Sequence, residues 1–208
     1  MRFLSLVVLA VVVFGAAFGA TYMLQDPKVD MSAYENVVPE YKAQIHELLV
    51  ATAILRSPYY KLRHPKALAR LKALAEEGGI PEALDTAFIY YAQPELFYCT
   101  KPDRSCPRDE RPINKEKTEQ AYYWARKMDG KKKTTALIRL IRDARYAPIA
   151  TEDDRIALMF ATEDDNSTAL EAAAALAFHS LDLRYYSNNM LDEAELWLNR
   201  ARDLEQKL

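Results

Sequence analysis

The chain repeats itself in helical pieces, and that repetition limits its fold more than any other feature. Three segments open alike: Pro81-Glu82-Ala83-Leu84, Thr134-Thr135-Ala136-Leu137 and Ser167-Thr168-Ala169-Leu170, the last two 33 residues apart. A second set of segments matches among residues 69–78, 121–130 and 194–201. It places Trp124 and Trp197 in comparable positions, 73 residues apart, about two lengths of a helix-turn-helix repeat. One such hairpin cannot bury its apolar face alone, so neighbouring hairpins must stack. With only 5 glycines and no strand-like alternation, an all-α class is expected.

Periodicity and punctuation mark the helices in order. Pro39-Glu40 opens a segment in which Tyr41, Ile45, Leu48, Leu49, Ala53 and Leu55 recur at three- and four-residue steps, ending before Ser57-Pro58. A helix over 66–77 carries Leu68, Leu71, Leu74 and Ala75 and stops at Gly78-Gly79. Pro81 starts the next, over 81–92. Further helices are predicted over 114–128, 134–146 and 152–161, the last capped through Thr151-Glu152-Asp153-Asp154. The closing hairpin is the clearest, with a long helix from Thr168, a turn at Ser187-Asn188-Asn189 and an amphipathic run from Leu191 to Ala201. Residues 94–113 form an irregular insertion with four prolines, and 25–38 read as a linker.

Three features together carry a family resemblance. They are a first helix ending in Ala-x-x-x-Gly, an Ala-Leu second helix ending in tyrosines, and the run from Glu193-Ala194 through Trp197-Leu198 to Ala201. In these the chain resembles the Sel-one-like repeat (SLR), a relative of the tetratricopeptide repeat (TPR). The likeness covers residues 66–208 with the insertion unmatched. It implies a short α-solenoid of about three repeats, wound as a right-handed superhelix and used as a protein-binding scaffold. Exported bacterial members include envelope adaptors and immunity proteins.

The N-terminus sets the compartment. After Met1-Arg2, residues 3–24 carry no charge over a length sufficient to span a bilayer. A cleaved signal peptide and an uncleaved signal anchor both fit; Gly15-Ala16-Ala17 suits cleavage, whereas the apolar run continuing through Tyr22-Met23-Leu24 favours an anchor. Either way the rest of the chain is expected outside the cytoplasm, in the periplasm or on the periplasmic face of the inner membrane. Cys99 and Cys106, in a proline-rich segment of an exported chain, are expected to pair as a disulfide that closes the insertion. The organisation read from the sequence is therefore an export segment at 1–24, a linker and first helix at 25–65, and a repeat domain at 66–208.

Chemistry is sparse. The three histidines, His46, His64 and His179, share no helical face at ligand spacing, which argues against a zinc site. Asp164-Asp165-Asn166 lacks the glycine and closing glutamate of a calcium loop and suits capping better. No phosphate-binding loop or nucleophile elbow occurs, so no cofactor and no catalytic residue is assigned. The expected role is a non-catalytic adaptor of the cell envelope. A narrower binder, an immunity protein that neutralises a toxic effector, is one alternative; an envelope enzyme or peptidoglycan-acting factor built on His179 and Asp164 is the alternative from another class.

Charge and tyrosines point to binding. Between Arg126 and Arg145 eight basic residues face two acidic ones, a balance of +6, whereas from Glu152 to Leu208 the balance is −8. A bipolar array of this kind can steer a charged partner. The expected partner is another envelope protein of acidic character; residues 3–24, if retained, add the membrane, and no nucleic acid is expected outside the cytoplasm. Candidate contact residues are Lys131, Lys132, Lys133, Arg139 and Arg142, with Tyr91, Tyr123 and Tyr186 as the exposed members of tyrosine pairs.

Overall fold

Prolines, glycines and capping side chains set the helix ends in a computed structural model, which describes residues 25–97, 115–143, 145–164, 166–183 and 189–208. The described residues are helical, with no strand among them. The apolar run at 3–24, Cys99 and Cys106 with most of the insertion, Asp165, Tyr186 and the turn residues Ser187 and Asn188 lie outside them. Among the described residues no helix is long and apolar enough to cross a membrane. The chain divides into two compact units, with the boundary between Thr86 and Ala87.

In the first unit, α1 (Pro39–Arg56) begins with Pro39, whose missing N–H costs nothing in a first turn. It ends where Ser57 turns extended before Pro58. A 3-10 turn, Pro58–Arg63, leads into α2 (His64–Glu77), which packs on α1. The predicted face of α2 is nearly right: Leu71, Leu74 and Ala75 are buried, but Ala67 takes the fourth place in the core rather than Leu68. Gly78 closes α2 in the left-handed region at φ 68°, where a Cβ would be strained. The linker is tied down, since Arg63 donates to the Gln25 carbonyl at 2.8 Å and pairs with Asp26. Next, α3 (Pro81–Ala92) runs across the boundary between the units.

The second unit continues with one turn of helix, α4 (Pro94–Phe97), inside the stretch expected to be irregular. Then come α5 (Lys115–Lys127), α6 (Gly130–Ile141), α7 (Glu152–Ala161), α8 (Ser167–Leu183) and α9 (Asn189–Lys207). Each of α5 to α8 packs on the next, and α6 also lies against α8. That gives α8 three neighbours, and its composition suits the place. Ala169, Ala172, Ala173, Ala175, Leu176 and Ala177 are all buried, and the small residues allow close approach from several sides. The α8–α9 seam is built on Ala169, Ala173 and Leu204, with Leu170 and Ala201 against them.

One helix departs from expectation. Predicted over 134–146, α6 instead runs from 130 to 141. Asp129 is the extended residue before the first turn, so the helix begins at Gly130 and includes all three lysines. Its end comes at Arg142, after which Asp143 Oδ1 turns back to accept from the Arg145 backbone N–H at 3.0 Å. Thr134 therefore sits one turn inside α6, whereas Ser167 opens α8, and the two Ala-Leu sites match in register without matching as helix starts.

Polar bonds link the odd-numbered helices. Arg126 of α5 grips Asp154 of α7 with two bonds of 2.8 and 2.6 Å. Arg155 of α7 pairs with Glu193 of α9, and Arg200 of α9 donates to the Thr162 carbonyl just past α7 at 3.0 and 2.5 Å. Asp154 also completes the expected capping box. The Thr151 backbone N–H donates to Asp154 Oδ2 at 2.9 Å, and Thr151 Oγ1 accepts from the Asp154 backbone N–H at 3.4 Å.

Candidate functional site: a charged groove on the second unit

The position where α6 begins decides which of its charges act together. At 3.6 residues per turn, Lys131, Thr135, Ile138 and Arg142 fall on one stripe, and Arg139 flanks it. All five line a groove of about 580 Å³. Asp143 follows Arg142 in the lining, and the rest comes from Gln93 and Glu95 around the start of α4 and from Ser167, Thr168 and Glu171 in the first turns of α8. Asn166 caps that helix by accepting from the Ala169 backbone N–H at 2.9 Å.

The eight basic residues counted in the sequence divide by function once placed. Arg126 is committed to Asp154, which is only 2% exposed. Arg145 is committed to Asp143 at 2.7 Å, with Glu95 at 3.9 Å. Lys127 stands over the Tyr123 ring at 5.1 Å. Lys132 is exposed and Lys133 half-buried, and neither lines the groove. Lys131, Arg139 and Arg142 remain: exposed, inside the groove, and with no acidic partner among the described residues. Arg139 is oriented by a 3.3 Å bond to Gln93 Oε1.

Of the tyrosines, Tyr123 is exposed beside the buried Trp124, the rings meeting edge to face with centroids 4.9 Å apart. Tyr91 corrects the expectation of an exposed contact residue. It is 6% exposed and packs edge-on to Tyr90, and its carbonyl accepts a 2.9 Å bond from the buried Tyr146 hydroxyl. The residue thus holds α3 to the segment after α6 and offers little surface to a partner. Tyr186 lies outside the described residues.

Electrostatics separate the structural charges from the groove. For Asp154, burial pushes the carboxyl up, but the Arg126 guanidinium and the bonds from Thr151 outweigh it and hold the group below its ordinary value of 3.8. The bond to Asp154 raises Arg126 in turn. Burial, with the Asp154 charge nearby, lifts the Tyr122 hydroxyl well above its usual range. His179, the acid-base candidate of the enzyme alternative, is buried in α8 at 4% exposure. No group of three or more His, Cys, Asp or Glu side chains suited to a metal ion occurs among the described residues.

Sequence reading misses the groove because it begins α6 at Thr134, which leaves Lys131 on a loop. The signal is present in Asp129-Gly130, an acidic residue and a glycine at a helix start, followed by the spacing 131, 135, 138, 142. Compared with known proteins, the chain matches no family model, no curated protein and no solved structure.

Proposed function

We propose that the chain is a non-catalytic adaptor of the bacterial cell envelope, a short α-solenoid of SLR/TPR-like hairpins that binds an acidic protein through the cations of a groove on its second unit. On this reading residues 3–24 deliver the chain to the periplasmic face of the inner membrane. The observation that carries the proposal is the groove: Lys131 and Arg139 of α6 and Arg142 at its close have no acidic partner among the described residues, while Arg126 is neutralised by Asp154 and the groove's Asp143 and Glu95 are taken up by Arg145. The succession of α5 to α9, with each of α5 to α8 packed on the next and α6 against α8, supports the hairpin array.

Crosslinking in intact membranes tests it. The wild type is expected to give one dominant adduct with an envelope protein, reduced about tenfold in R139E/R142E, because reversing two groove charges repels an acidic partner. K132E, which lies off the groove, should leave the adduct unchanged. An adduct insensitive to the double reversal would move the binding face elsewhere, and the absence of any adduct would count against the adaptor.

A further inference from the structure

The spacing of the groove cations defines a more specific ligand. Lys131 and Arg142 stand eleven residues apart along α6 and its closing residue, about 16 Å at 1.5 Å per residue. Arg139 and Arg142 are one turn apart, so their guanidiniums can converge on a single carboxylate in the forked geometry that arginine favours. Lys131 is a lone point charge at the other end. An extended peptide advances about 3.3 Å per residue, so about five residues separate side chains that reach both ends.

From this we infer that the groove binds an extended acidic peptide segment carrying two carboxylates about five residues apart, one held by Arg139 and Arg142 and the other by Lys131. The inference rests on the adaptor reading above and specifies its partner. The lining favours such an occupant. Ile138 and Ala92 lie buried in its floor, and the Thr135, Ser167 and Thr168 hydroxyls can bond an extended backbone. Three carboxylates also line the groove: Glu95 and Asp143 are paired with Arg145, and Glu171 is exposed. A uniform polyanion or a flat anionic membrane would meet that carboxylate as well as the cations, whereas two discrete carboxylates held apart can straddle it.

The test uses the full chain in detergent and two terminally blocked, fluorescently labelled peptides of the same composition. One has glutamates at its second and seventh positions, and the other has them adjacent. By anisotropy at low salt, the spaced peptide is expected to bind about tenfold tighter than the adjacent one, since only it can engage both ends of the groove. R139Q/R142Q should weaken it about tenfold and K131Q about threefold, while E171Q should strengthen it about threefold by removing a repulsive charge. Circular dichroism of each exposed-site variant should match the wild type.

Equal affinity for the two peptides, or binding unchanged by R139Q/R142Q, overturns the inference. So does preference for inorganic phosphate or for phosphatidylglycerol vesicles over the spaced peptide, which would assign the cations to a simple anion or to a membrane surface. A crosslinked adduct that depends on Arg139 and Arg142, without peptide discrimination, would retain the adaptor and discard the spacing. Peptide discrimination without any adduct would do the reverse.

Discussion

Trp124→Ala is expected to destabilise the second unit by about 4 kcal/mol, seen as a lower midpoint in guanidinium unfolding. The indole is 1% exposed, on the same turn of α5 as the buried Ala121 and Ala125, so truncation leaves a cavity that small neighbours cannot fill. Its Nε1 is buried without a hydrogen-bond partner among the described residues, so alanine sacrifices packing and no bond. Trp124→Phe keeps an aromatic ring and removes the unsatisfied donor, and should therefore cost about 1–2 kcal/mol. Trp197 is less enclosed at 8% exposure and holds a 3.4 Å bond to Glu193, and its alanine variant is expected to lose about 3 kcal/mol. The chain has only 2 tryptophans, so each variant leaves one fluorescent reporter, on α9 or on α5. Coincident transitions from the two reporters would show the unit unfolding as one. A loss below about 1 kcal/mol for Trp124→Ala would contradict its place in the core.

Helix ends are legible wherever a single residue type dictates backbone geometry. Pro39, Pro81, Gly78 and the Thr151–Asp154 box each mark a boundary that the structure reproduces, because the cause lies within four residues of the effect. The start of α6 escapes for the same local reason turned around. Three consecutive lysines read as a solvated loop, yet a helix can carry them because their side chains diverge by about 100° per residue, so only one of them reaches any given groove. Charge counting fails for a different reason. A net balance does not reveal that Arg126 is used by a carboxylate 28 positions later, or Arg145 by Glu95 besides its near neighbour Asp143; the two distant pairings exist only once α4, α5 and α7 are in place. The tyrosine pairs show both limits, since Tyr122 and Tyr91 are buried while Tyr123 is exposed, and adjacency alone does not say which member of a pair turns inward.

The Arg126–Asp154 pair yields the second large effect, because its two members are buried unequally. Asp154 is 2% exposed and Arg126 40%, so removing the arginine strands a carboxylate in the interior, whereas removing the aspartate leaves a guanidinium that water can reach. Arg126→Met is therefore expected to cost about 2 kcal/mol at neutral pH, below the usual range for a broken buried pair because Thr151 still bonds the carboxylate. Asp154→Asn should cost about 1 kcal/mol, mainly through the weakened cap. The double variant should lose less than the sum of the two by about 1 kcal/mol, which a double-mutant cycle reads directly. Acid dependence supplies an independent readout. Folded Asp154 is held below its ordinary 3.8, so near and below that value the unfolded chain binds more protons than the folded one. The stabilisation is complete at neutral pH and is lost as pH falls through the folded value. Both single variants should flatten this acid limb, Asp154→Asn by deleting the group and Arg126→Met by removing the guanidinium that opposes the effect of burial. An acid limb as steep in Asp154→Asn as in the wild type would assign the acid sensitivity to other carboxylates.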